Sequence, residues 1–103
     1  MEQLVIAAPT VGLCQIVRAY YFEKLQKQPE SRGIFISNSR DVEKHVRELV
    51  VGNDSVRFVL FRSRRPLADR HYSRQWEKIE SHIQTVVHTF PEYDVKLEYV
   101  DLP

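Results

Sequence analysis

At 103 residues, with 43% hydrophobic and 28% charged residues, the chain has the size and composition of one packed domain, which excludes a second core and the apolar-poor signature of disorder. A formal net charge of +1 gives no global pull toward nucleic acid or an anionic membrane, so any such partner has to be argued from local clusters. The single cysteine, Cys14, has no internal disulfide partner, Met1-Glu2-Gln3 lacks the basic flank of a signal peptide, and the apolar runs are far shorter than a membrane span. A cytoplasmic location without a membrane partner is therefore expected.

Residues 1–103 read as one α/β domain in which strands and helices alternate. Leu4 to Ala8 is a continuous apolar run stopped by Pro9, the pattern of a strand covered on both faces. From Thr10 to Gln28, Leu13, Val17, Tyr20, Tyr21 and Leu25 recur at helical spacing, and Pro29 with Gly33 ends the segment. Ile34, Phe35 and Ile36 form a second apolar run. Ser37, Asn38 and Ser39 follow as helix N-cap residues, with Asp41 and Glu43 where the helix dipole favours negative charge. Val42, Val46, Leu49 and Val50 supply the stripe of a shorter second helix, terminated by Gly52 and Asn53.

Val56 to Phe61 is the most apolar stretch and the best central strand. A loop from Arg62 to Ala68 leads to the most regular amphipathic pattern, Tyr72, Trp76, Ile79, Ile83, Val86 and Phe90, closed by Pro91. Val95 to Val100 alternates as a half-exposed edge strand should. This order predicts a small Rossmann-like three-layer α/β domain, four mainly parallel strands in the order 2-1-3-4 alternating with three helices. A ferredoxin-like α+β layer with an inserted helix, its second and third strands pairing antiparallel, is the competing expectation.

In an open parallel sheet, ligands collect outside the carboxyl ends of the strands, where loops diverge and helix N-termini point inward. The ligand-binding candidates are therefore Thr10 and Gly12 after the first strand, Ser37, Asn38, Ser39 and Arg40 after the second, and Arg62, Arg64 and Arg65 after the third. Hydroxyls and backbone N–H groups at helix starts, and guanidinium forks, suit a phosphate. The arginines carry the strongest local signal: Arg62, Arg64, Arg65, Arg70 and Arg74 are close in sequence, with Asp69 the one acid among them. A solvated loop and helix face is the plainer account of the same residues, and capping is that of Ser39.

Other chemistry is thinly represented. Cys14 near a helix start is a possible thiolate, but a buried, inert thiol is the expected state. The histidines 45, 71, 82 and 88 lack metal-ligand spacing, so no metal is expected, and His71 beside the arginines is the one acid–base candidate. Neither a Walker-type phosphate loop nor a Gly-x-Gly-x-x-Gly turn occurs, so no cofactor is expected and no catalytic set can be assembled. Two functions remain: a ligand-binding or sensor module for a phosphorylated, nucleotide-like ligand, or a protein- or RNA-interaction subunit without a small-molecule site. Consecutive Tyr20, Tyr21 and Phe22 must point around the first helix in different directions, leaving at least one for a homodimer or partner surface.

Overall fold

A computed structural model describes residues 2–25, 31–34, 42–63, 70–89 and 93–102, with backbone alone at 31–34, 71 and 72. In chain order these form β1 (Glu2–Ala7), α1 (Val11–Leu25), β2 (Ser31–Ile34), α2 (Val42–Val51), β3 (Ser55–Ser63), α3 (Arg70–Thr89) and β4 (Asp94–Leu102). The strands lie side by side as β2-β1-β3-β4, and every pairing is parallel.

The expected body of four mainly parallel strands needs correction. Three strands make the body of the sheet: β1 and β3 pair over six positions, from Glu2 opposite Ser55 to Ala7 opposite Leu60. β3 and β4 pair over nine, from Ser55 opposite Asp94 to Ser63 opposite Leu102. The remaining segment is a four-residue margin, Ser31–Ile34, along Leu4 to Ala7 of β1. It begins before the apolar run that was expected to form it, and Phe35 and Ile36 lie outside the described residues. An outer strand has to supply backbone groups to one neighbour only, so it needs no apolar run, and a search for such a run misplaces it. The antiparallel alternative is also overturned, since β2 pairs with β1, in parallel.

Adjacent residues of a strand point to opposite faces, which fixes the layers. Glu98 of β4 meets Tyr21 of α1, while Tyr99 accepts a 2.7 Å hydrogen bond from Gln84 of α3. α1 therefore covers one face and α3 the other, with α2 packed against α3. Between them Val5, Ile6, Phe58, Val59, Leu60, Ile79 and Ile83 are fully buried. The stripe expected on the second helix is buried, Val42, Val46, Leu49 and Val50 on α2, as are Trp76, Ile79, Ile83 and Val86 of the one expected on the third, where the Tyr72 side chain and Phe90 lie outside the described residues. Trp76 meets Phe61 edge-on, with ring centroids 6.1 Å apart.

Candidate functional site

The carboxyl end of the sheet was the expected site. Because β1 and β3 run parallel, Thr10 and Arg62 do emerge at the same end. Ser37, Asn38, Ser39, Arg40, Arg64 and Arg65 lie outside the described residues, as do Asp69 and the side chain of His71. The three described candidates are each accounted for by the chain itself.

Thr10 is the N-cap of α1. Its Oγ1 accepts the Leu13 N–H at 3.1 Å while its carbonyl accepts the Cys14 N–H at 2.9 Å, satisfying two of the donors that a helix start leaves over. Gly12 is exposed in the first turn, and a Cβ placed there would come no nearer than 3.9 Å to Thr10 Oγ1. No close approach calls for glycine.

Arg62 lies in β3 rather than in the loop expected from the sequence, because pairing with β4 continues through Asp101 and Leu102. Its Nη2 donates to Asp101 Oδ2 at 3.0 Å and its Nε to Oδ1, a bidentate pair, and its guanidinium carbon sits 4.8 Å from the centre of the Tyr99 ring. The acid opposing this arginine is thus on the neighbouring strand and distant in sequence, where a local count of charges does not find it.

Cys14 is buried, and its Sγ points at the Ile6 carbonyl at 3.9 Å. Burial pushes the thiol above its ordinary value, outweighing a backbone hydrogen bond at Ala8 and the positive charge of Arg18. A thiol held neutral is a poor nucleophile, as expected of an inert cysteine.

Among the described residues a cleft that was not anticipated lies at the other end of the sheet, beside the carboxyl end of α1. It encloses about 350 Å³ lined by Glu2, Leu4, Tyr21, Lys24, Leu25, Arg57 and Glu98. Arg57 on the middle strand donates from Nε to Glu2 of β1 at 2.9 Å and from Nη1 to Glu98 of β4. Tyr21 lies over this group, its hydroxyl raised above its ordinary pKa first by burial and then by the Glu98 carboxylate. With both arms of its guanidinium on carboxylates, Arg57 ties three strands together and offers little to an incoming anion. The clue was present in the sequence: an arginine between Val56 and Phe58, inside the most apolar strand, must bring its counter-ions with it.

On helix α1 the three consecutive aromatics point in different directions, as expected, and Tyr20 is left outside the core. The helix buries Cys14, Val17 and Tyr21 against the sheet, yet Ile16 and Tyr20, one turn apart, are 45% and 48% exposed. Glu23 and Ala19 lie beside them on the outer side, and Val11 and Leu25 are exposed toward the two ends. Of the three consecutive aromatics, Tyr21 is in the core, Phe22 is partly covered and Tyr20 faces out. Among the described residues no helix is long and apolar enough to cross a membrane.

Comparison with protein-family models, with curated proteins and with solved structures found no match.

Proposed function

We propose that this chain is an interaction subunit that docks another protein through the outer side of α1. The carrying observation is the exposed pair Ile16 and Tyr20 on α1, among the described residues the one helix covering its face of the sheet. A surface helix normally turns its apolar residues inward, and large aromatics are enriched at the centres of interfaces. The partner implied is one with an apolar cleft that accepts an aromatic and a branched aliphatic side chain one helical turn apart, edged by polar groups for Glu23 and Lys24. The buried thiol of Cys14 supports a cytoplasmic setting.

The test is cross-linking of the tagged full chain in its source cells, followed by reconstitution with each purified candidate. The expected result is one partner whose affinity falls at least roughly tenfold for Ile16→Lys/Tyr20→Lys, as for loss of a central anchor. Equal affinity of the two proteins for every reconstituted partner rejects the reading.

A second reading, a sensor for a phosphorylated, nucleotide-like ligand, draws on the common end at which Thr10 and Arg62 emerge. It relies on the sequence cluster Arg62, Arg64 and Arg65, with Arg62 released from Asp101. Such exposed pairs are weak and can exchange partners. Arg64→Ala/Arg65→Ala then abolishes binding while leaving the fold intact. An RNA site on the same arginines loses affinity steeply with salt and with little regard to sequence. Full retention of ligand or RNA binding by the double variant rejects this second reading.

A further inference from the structure

β4 is the outer strand of the sheet, with β3 its one strand neighbour among the described residues. It is nine residues long, and natural edges are usually short, bulged or blocked because their outward N–H and C=O groups invite another strand. Its side chains do not separate into buried and exposed sets either: Val95, Leu97, Glu98, Tyr99 and Val100 are all half-buried. Such a row has room for further cover.

From this edge we propose that two copies of the chain pair antiparallel through β4, about a two-fold axis at Leu97, to form one continuous sheet. The choice of axis follows from hydrogen-bond geometry and charge. Along an edge strand, alternate residues turn their backbone groups outward, and in an antiparallel pair outward residues must face outward residues. The axis therefore passes through a residue and never between two.

An axis at Lys96 sets Lys96 against itself and Asp94 against Glu98, and an axis at Glu98 sets that carboxylate against itself and Val95 against Asp101. At Tyr99, Leu97 faces Asp101 and Glu98 faces Val100. An axis at Val95 matches Asp94 with Lys96 but engages only the first part of the strand. An axis at Leu97 brings opposite charges and apolar residues together at its centre and leaves its mismatches, Asp94 against Val100 and Tyr93 against Asp101, at the two ends of the pairing. Lys96 of each copy faces Glu98 of the other, Val95 faces Tyr99, Leu97 faces Leu97, and pairing runs from Tyr93 to Asp101. Opposite charges and aromatic–branched pairs are the cross-strand combinations that stabilise a sheet.

The two sides of the strand are consistent with this register. Val95, Leu97 and Tyr99 share the α3 side, where Tyr99 meets Gln84, so the matched apolar pairs add to one layer. Lys96 and Glu98 share the α1 side. Lys96 is half-exposed and reaches Glu2 only at 4.0 Å, leaving it within range of a second carboxylate, while Glu98 keeps Arg57 on its inner flank. The pairing is isologous and closes on itself, because the second copy covers the edge that the first offers. It does not depend on the role proposed for α1.

The experiment is sedimentation equilibrium of the full chain, of Lys96→Glu, of Glu98→Lys, and of the two variants mixed in equal amounts. The wild type is expected to sediment at twice the chain mass, and each variant alone to have its dimer weakened by roughly tenfold or more, since it sets like charges opposite one another twice. The mixture is expected to regain dimer, because one variant then supplies two carboxylates at these positions and the other two ammonium groups. A monomeric wild type overturns the proposal, as do variants that dimerise as well as the wild type. Should Glu98→Lys fail to fold beside Arg57, Leu97→Cys in a Cys14→Ala background decides the register. Facing residues are within disulfide reach, so Leu97→Cys is expected to cross-link between copies under mild oxidation and Lys96→Cys is not. The reverse pattern, or cross-linking by neither, overturns it.

Discussion

Glycine has opposite meanings at the starts and ends of these helices. At Gly52 the N–H donates to the Glu48 carbonyl at 2.9 Å and a Cβ would stand 2.9 Å from that same oxygen, a backbone atom that cannot step aside. Asn53 completes the terminus by donating from Nδ2 to the Leu49 carbonyl at 2.7 Å. Gly12, in the first turn of α1, has open space. Gly52→Ala is therefore expected to destabilise by about 1 kcal/mol or more, and Gly12→Ala to stabilise by about 0.5–1 kcal/mol. Urea unfolding of the two variants checks both signs. A stabilised Gly52→Ala would mean that the helix end is not as close-packed as described.

Titration at the residue scale has a direction as well. Burial raises the Cys14 thiol above its ordinary 9.0, and raises the Tyr21 and Tyr99 hydroxyls above their ordinary 10.0. Between the unfolded and folded values the native state holds a proton that the unfolded chain has released, so the slope of stability with pH is negative there. These groups leave stability unchanged below about pH 9 and remove it as pH climbs, first through the thiol and then through the phenols. Cys14→Ala and Tyr21→Phe are expected to flatten that alkaline loss relative to the wild type in thermal melts. An alkaline loss unchanged in both variants counts against the buried, neutral state of these groups.

At the scale of elements, the stripe of α3 was legible because it is long and regular, and each of Trp76, Ile79, Ile83 and Val86 lies where its spacing places it. Trp76→Ala is expected to cost roughly 3–5 kcal/mol, the cost of removing a large core side chain. A loss within the range of surface substitutions, about 0.5 kcal/mol, would show that the ring is not part of the core. The sheet margin was not legible, since an outer strand is recruited by its backbone and its residues carry no apolar signature. Arg62 was misread for a related reason. Nothing local distinguishes the last residues of a strand from a loop when what extends the strand is pairing with β4, some forty residues further on. Arg57 stood in the sequence as a charge inside an apolar run but was passed over, and its meaning became clear once β1 and β4 supplied Glu2 and Glu98 on either side. That one of the three consecutive aromatics of α1 faces outward was legible from their spacing, but which one was not, because composition alone does not say which of them the sheet takes.

For the whole molecule, the parallel sheet puts two kinds of surface at its disposal. Its carboxyl end gathers Thr10 and Arg62, both engaged by neighbouring groups of the chain, while α1 and the β4 edge present side chains and backbone groups outward. The docking proposed for α1 uses the second kind. A ligand that binds the native state raises its stability by an amount set by its concentration relative to Kd, about 2.7 kcal/mol at a hundredfold excess. Thermal melting of the full chain in saturating inorganic phosphate and in a panel of mono-, di- and cyclic nucleotides is therefore the most direct test. The account predicts the same melting temperature in every nucleotide as in a salt control of equal ionic strength. A saturable rise with one nucleotide, abolished by Arg64→Ala/Arg65→Ala, would contradict it and return function to the carboxyl end of the sheet.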